Sequence, residues 1–290
     1  MTIPHFDPAF WGAALLGAVV GYASGLFGVG GGFMLTPLLI SLLGIPPTVA
    51  VGSGLAQMIV VGAGAGWRHA SKGFVDLKLV GYTAPGTIIG TVLGKMILAW
   101  LTTFGIITLA GKPTSVATFV LSIIFTVLLF SIAIRLWREC AEEETVIAAP
   151  LRWENGLWCV CLPHSKIERV SIVSLLGAGL IIGTMAGLLG IGGGVILIPL
   201  LVYGFGIHLR MAIGTSAMLI LVSAIAGTAQ YALSGQINYW LVLALIIGST
   251  PMVQVGVWHS HRLHTAHLQR AFAVLVFIVA LITLGHLLWR

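Results

Sequence analysis

Residues Gly25–Leu39 read GLFGVGGGFMLTPLL, and residues Gly187–Leu201 read GLLGIGGGVILIPLL. The second copy starts 162 positions after the first (25 to 187), and the match continues at that offset without a gap. Gly44-Ile45 meets Gly206-Ile207, and Ala50, Gly52 and Ser53 meet Ala212, Gly214 and Thr215. Ala70 and Gly73 meet Ala232 and Gly235, and Gly86 and Gly94 meet Gly248 and Gly256. Apolar segments often resemble one another by chance. A gapless match with glycines in register over about 70 positions instead marks an internal repeat.

Composition sets the solvent in which that repeat folds. The 290 residues are 58% apolar and only 8% Asp, Glu, Lys or Arg, against about 25% charged in a soluble domain. Apolar segments of about 20 residues, enough to cross a roughly 30 Å hydrocarbon layer, recur along the chain. Met1 to Pro8 lacks a basic n-region, so the first span reads as retained, not as a cleaved signal. The net charge of +6 comes from basic residues lying mostly between spans. That is the bias that orients helices in a bilayer and does not point to nucleic acid. Six of the eight acidic residues (Glu139, Glu142, Glu143, Glu144, Glu154 and Glu168) sit in a central linker. Asp7 and Asp76 lie outside the predicted spans, so no span holds a carboxylate.

Each half has one hydropathic plan. A long span (Ala9–Phe27, or Val170–Leu189) meets the glycine run, and a short apolar stretch follows (Phe33–Leu43, or Val195–Phe205). Three further spans complete each half: Thr48–Gly66, Leu77–Leu101 and Ser115–Trp137, then Arg210–Leu233, Trp240–Val257 and Ala271–Trp289. The expected organisation is a first transmembrane repeat over 1–137, a cytoplasmic linker over 138–169 and a second repeat over 170–290. An 11-residue helix rises only about 16 Å, too little to cross comfortably. If the long span and the short stretch form a glycine-broken hairpin, the chain returns to its side of entry. Three more spans then make each unit net odd, and two such units in series lie in opposite orientation. The expected fold is therefore an all-α polytopic membrane protein of two inverted repeats. With the N-terminus outside, the basic loops at Arg68–Lys78, Arg135–Arg169 and His259–Arg270 fall inside, and the uncharged loop Ser234–Asn238 falls outside. Both termini are then external.

The glycine runs carry the functional expectation. Glycine costs a helix interior about 1 kcal/mol relative to alanine, so three in a row break the helix. Irregular backbone inside a membrane is tolerated where it is buried in protein or lines a cavity. Gly28, Gly30, Gly31 and Gly32, with Gly190, Gly192, Gly193 and Gly194, are thus candidates for a discontinuous-helix site whose freed N–H groups hold an anion. Close packing through small residues is the alternative use. Hydroxyl and amide groups follow inside apolar spans: Ser53 and Gln57, then Thr215, Ser216 and Gln230. They can donate to an oxyanion or bond a neighbouring helix. A dinucleotide fingerprint is excluded, because the sixth position of G-x-G-x-x-G is Phe33 in one copy and Val195 in the other.

The doubled GLxGxGGGxxxxPLL, each copy followed by Gly-Ile and an A-x-G-S/T stretch, resembles the sulfite exporter TauE/SafE family. The resemblance covers both halves and leaves out the linker. It implies a transporter of small sulfur-containing anions (sulfite, sulfonates, organosulfur acids) in a bacterial cytoplasmic membrane. Repetition is uneven at one point, where Gly54 stands opposite Ser216, so the half-sites are not chemically equivalent. The lack of intramembrane carboxylates fits an anionic cargo, since a fixed carboxylate would repel it. No G-x-x-x-x-G-K-[ST] is present, so transport draws on the gradient of the solute or of a coupled ion. An anion channel is the alternative with the same features. An intramembrane enzyme is disfavoured, because Ser53 needs a base within reach and the predicted spans hold no histidine except His286. No cofactor is implied. Lys95 reads as snorkelling toward an outer interface near Trp100, and Arg68 and His69 as topological charge at a cytoplasmic helix end. Cys140, Cys159 and Cys161, with His164, form too weak a pattern for a metal. The expected partners are a small anion and the lipid bilayer.

Overall fold

The computed structural model describes residues 8–27, 32–109, 112–139, 159–162, 165, 167–192, 194–207, 209–260 and 265–289. Among them are ten α-helices. In the first half these are α1 (Pro8–Phe27), α2 (Gly32–Leu43), α3 (Pro47–Ser71), α4 (Leu77–Thr103) and α5 (Val116–Glu139). In the second half they are α6 (Ile172–Leu189), α7 (Gly194–Pro199), α8 (Leu209–Leu233), α9 (Tyr239–Ser260) and α10 (Thr265–Trp289). Six are long and apolar enough to span a membrane: α3, α4, α6 and most of α5, α8 and α9. Phe10–Leu26, Gly32–Leu43 and Ala271–His286 form shorter apolar helices.

Helices end where the sequence supplies a stop. Gly44, Gly73, Gly190, Gly206 and Gly235 all take positive φ, the conformation a glycine reaches without a Cβ penalty. Both copies of the Pro-Leu-Leu segment lie in helix, but they differ. Pro37 sits inside a continuous α2, whereas α7 ends at Pro199 and widens into a π-helical turn over Leu200–Gly204. Proline lacks an N–H and crowds the preceding turn, and a wide turn relieves both. Two antiparallel hairpins were not expected from the sequence: β1 (Ile106–Leu109) with β2 (Lys112–Ser115), and β3 (Cys159–Leu162) with β4 (Ile167–Ser171). Several helices outrun the apolar spans, so His69, His259 and His267 also lie on helices.

Glycine ladders dictate the packing. A Cβ on Gly17, Gly21 or Gly25 of α1 would run into the backbone of Leu245, Ser249 or Val253 of α9. A Cβ on Gly179, Gly183 or Gly187 of α6 would strike Thr83, Thr87 or Thr91 of α4. These triplets are the same contacts moved by 162 positions. Contact partners rise together in both pairs, so α1 runs parallel to α9 and α6 parallel to α4. The bare glycine faces let backbones touch, which is how helices associate where lipid removes the hydrophobic drive. The repeat-equivalent helices α3 and α8 also meet each other. Gly52 faces Tyr231, Gly62 faces Leu221 and Gly66 faces Met218, so these two run antiparallel.

The outer surface is apolar. Leu15 and Val19 of α1, Ile88, Ile89 and Leu93 of α4, and Ile181 of α6 are exposed, as a lipid-facing surface requires. Exposed Trp11, Trp67, Trp100, Tyr239 and Trp258 lie near helix ends, where amphipathic rings settle at the headgroup level.

Candidate functional site

The second glycine break is wrapped by three helices. Gly190 closes α6 in the left-handed conformation, with φ +69, and its N–H donates to Ala186 O at 2.8 Å. Its carbonyl accepts the Thr36 hydroxyl of α2 at 3.4 Å. Gly192 is left-handed too, with φ +62, and its carbonyl accepts Ser223 Oγ of α8 at 3.4 Å. Ser223 also donates to Ile220 O in its own helix at 2.9 Å, so its hold on Gly192 is the weaker arm of a shared bond. Just before the break, the buried Tyr231 hydroxyl donates to Gly187 O at 2.8 Å.

The start of α2 reaches the same place. Gly32 opens α2, and a Cβ there would collide with the Met58 methyl and stand 3.3 Å from Gly190 O. A Cβ on Gly192 would stand 2.9 Å from Met58 Sδ and 2.9 Å from Ile220 Cγ2. Met58 and Ile220 are repeat equivalents (58 to 220), each about halfway along its helix. The Met58 side chain, 5% exposed, therefore fills the point where the two breaks come together. A thioether on three rotatable bonds is the core side chain most able to leave such a position. The atoms nearest the Cβ positions of Gly32 and Gly192 all belong to uncharged residues.

Ser53, Gln57, Thr215 and Ser216 each make a hydrogen bond within the bundle. Gly28, Gly30, Gly31 and Gly193 lie outside the described residues, and Gly194 begins α7. Ser53 Oγ accepts the N–H of Asn238 at 3.2 Å, and Asn238 Oδ1 caps α9 through the N–H groups of Trp240 and Leu241. Thr215 Oγ1 accepts the N–H of Asp76 at 3.2 Å, and Asp76 Oδ1 caps α4 through Lys78 and Leu79. The two arrangements are again one motif moved by 162 positions. Ser53 and Thr215 thus tie α3 to the start of α9 and α8 to the start of α4. Ser216 donates to Ile213 O of its own helix at 2.8 Å. Gln57 Nε2 donates to Ser249 Oγ at 2.9 Å, joining α3 to α9.

Lys95 does not reach the breaks. Its ammonium donates to Gln230 O at 2.6 Å and to Ser234 Oγ at 2.5 Å, at the C-terminus of α8, where a cation suits the helix dipole. Asp76, taken from the sequence as a loop residue, is buried at 2% exposure, and its second oxygen accepts Ser165 Oγ of the linker at 2.6 Å. The linker hairpin is docked, with Leu162 and Val170 buried against Leu79, Leu175 and Ala178. Cys159 and Cys161 are exposed on β3; Cys140 and His164 lie outside the described residues. Among the described residues no group of three His, Cys, Asp or Glu side chains is placed to hold a metal.

Sequence reasoning missed Thr36, Met58 and Ser223. A hydroxyl within the apolar run GFMLTPLL, and a pair of apolar residues at the repeat offset, were the available signals.

Long apolar helices, glycine-packed interfaces and broken helices meeting at mid-bundle define a polytopic membrane protein. The model of one family, described as sulfite exporter TauE/SafE, matches residues 13–283. The chain belongs to that family. It is 29% identical over 270 residues to the Bacillus subtilis "Probable membrane transporter protein YjnA", covering 92% of this chain and 96% of that one. A Haemophilus influenzae "Probable membrane transporter protein" is 23% identical over 286 residues, covering 92% and 95%. The Methanocaldococcus jannaschii "Probable membrane transporter protein MJ0441" is 23% identical over 284 residues, covering 93% of each. No solved structure matches the chain significantly. Family and relatives make the chain a multi-pass membrane transporter.

Proposed function

We propose that this transporter is a secondary carrier that exports small sulfur-containing anions such as sulfite and sulfonates across the bacterial cytoplasmic membrane. The anion binds between the two glycine breaks, over Gly28, Gly30, Gly31 and Gly32 on one side and Gly190, Gly192, Gly193 and Gly194 on the other. The observation that carries this reading is the convergence of Gly32 and Gly192 on the single side chain of Met58, with the Gly190 carbonyl beside Gly32. Broken helices meeting near the middle of a bundle give a solute backbone groups outside regular helix in a place lipid cannot reach. The uncharged contacts that Met58 and Ile220 make with Gly32 and Gly192 keep binding modest, which suits a site that must also release its cargo. The family supplies the sulfur chemistry.

The same reading sets the N-terminus outside, the linker inside and the C-terminus outside, with the halves inverted. The antiparallel meeting of α3 with α8 supports that inversion, because equivalent helices of two parallel repeats would run the same way.

The test is a flux screen on purified, reconstituted protein across sulfite, sulfate, thiosulfate and short sulfonates. At least one sulfur monoanion is expected to move faster than through empty vesicles. Movement of none of them, with transport of a cation or a neutral solute instead, rejects the anion reading.

A further inference from the structure

We infer that the cleft between the linker hairpin and the start of α4 binds the headgroup of an anionic phospholipid of the phosphatidylglycerol kind. Two contacts hold the hairpin at this place. Ser165 Oγ donates to Asp76 Oδ2 at 2.6 Å, and Leu162 and Leu79 are fully buried in one apolar cluster. Between β3 and α4 lies a cleft of about 370 Å³ lined by Lys78, Gly81, Tyr82, Val160 and Cys161. That volume is at the small end of the range for ligand sites. A Cβ on Gly81 would meet nothing within 4 Å, so the helix side of the cleft is open. Lys78 and Tyr82 are both exposed, and they bring an ammonium and a phenol to one opening. Lys78 stands in the first turn of α4, where the helix dipole disfavours a cation. Its charge therefore does not serve the helix, whose start is capped by Asp76 Oδ1 through the N–H groups of Lys78 and Leu79. A positive helix start and an ammonium together suit an anion.

The outer face of α4 places that anion in the bilayer. Lys78, Tyr82, Pro85, Ile89, Leu93 and Met96 are all exposed and follow one another at steps of three or four, so they form a single stripe along the helix. The opposite face carries Gly86, Gly90 and Gly94, packed on α6. The stripe leaves the cleft with a cation at its head and apolar side chains behind, matching a phospholipid from phosphate to acyl chain. Exposed Trp100 closes it. From Lys78 to Trp100 a helix rises about 33 Å, against roughly 30 Å of hydrocarbon. With Trp100 at one interface, Lys78 lies at headgroup level at the other. A choline or ethanolamine headgroup would bring a second cation to Lys78, whereas a glycerol headgroup brings only hydroxyls. The cleft thus favours a net negative lipid, and Lys72, exposed just before the turn into α4, adds to the attraction. The second half does not repeat the arrangement. At the repeat offset (78 to 240), Trp240, Leu243 and Ala244 stand where Lys78, Gly81 and Tyr82 do.

Cys161 lines the cleft, while Cys159, exposed on the same strand, lies outside its lining. One thiol therefore reports the site and the other serves as control. The full chain is placed in nanodiscs of phosphatidylcholine with a rising fraction of phosphatidylglycerol, in two versions that keep either Cys161 or Cys159, the other cysteines being replaced by serine. The probe is a neutral maleimide, and nanodiscs leave both membrane faces open to it. Cys161 is expected to label more slowly as phosphatidylglycerol rises, and Cys159 at a constant rate. Lys78→Gln moves half-protection of Cys161 to a phosphatidylglycerol fraction about fivefold higher, the factor that one lysine contributes to binding an anionic lipid. Lys78→Arg restores it. A Cys161 rate that never changes overturns the site, and so does equal slowing of both cysteines, which is a surface-charge effect. Wild-type protection in Lys78→Gln overturns the part given to Lys78. Equal protection by phosphatidylethanolamine overturns the preference for a net negative headgroup. Protection in pure phosphatidylcholine by soluble glycerol 3-phosphate makes the occupant a free phosphate ester and overturns the lipid.

Discussion

Ser53 and Thr215 are equivalent residues doing equivalent work in opposite halves. Each hydroxyl holds the backbone N–H of a residue that itself caps a helix, Asn238 for α9 and Asp76 for α4. Both are fully buried, so removing either leaves a buried N–H without its acceptor, at about 1–3 kcal/mol. Ser53→Ala and Thr215→Ala are each expected to lower thermal stability in detergent by that amount, while the pattern of transported anions stays the same. An unchanged melting temperature in both variants rejects the capping role. From the sequence these hydroxyls were equally good as ligands, because a hydroxyl inside an apolar span suits either use. The sequence could not show which backbone N–H lies opposite, because that depends on the fold of the other half. Thr36 was overlooked for the same reason: its partner, Gly190, is 154 residues away.

At the scale of the element, the glycines divide by what they touch. Gly183 of α6 lies on the Thr87 backbone of α4, where a Cβ would overlap the carbonyl oxygen. Gly177, on the same helix, would gain a Cβ with nothing within 4 Å. Gly183→Ala is therefore expected to destabilise the protein by about 1–3 kcal/mol through overpacking. Gly177→Ala should be neutral or slightly stabilising, since alanine is the better helix former. Equal melting temperatures for the two variants would show that the α4–α6 ladder does not hold the helices together. The register of glycines was visible in the sequence as a repeat, and so were the helices and the breaks. Which helix each ladder meets was not visible, because a small-residue stripe does not name its partner. The hairpins β3–β4 and β1–β2 were hidden as well, being short pairings formed where the apolar period stops.

For the molecule as a whole, the contacts repeat at the same 162-residue spacing as the sequence. Parallel pairing of α1 with α9 and of α6 with α4 interlocks the halves, so neither repeat buries its glycine faces alone. The fold class and the membrane environment were legible because hydropathy and charge placement act through every residue. The contents of the site were only partly legible, since they depend on a few side chains brought together from α2, α3 and α8. Orientation is checked by thiol labelling from outside intact cells, in a background where Cys140, Cys159 and Cys161 are replaced by serine. A cysteine placed at Ser234 is expected to react and one placed at Lys72 to stay protected. The reverse pattern contradicts the proposed topology.

The central claim is that the solute passes between the two glycine breaks, and Gly192 tests it most directly. Its φ of +62 costs an alanine about 1–2 kcal/mol, and the added methyl would press on both Met58 and Ile220. The measurement is the flux of a radiolabelled sulfonate through vesicles holding equal amounts of wild type, Gly192→Ala and the control Gly177→Ala, each shown to be folded. The account predicts a loss of about tenfold or more in Gly192→Ala and wild-type flux in Gly177→Ala. Wild-type flux through a folded Gly192→Ala would contradict it and leave the breaks as packing devices.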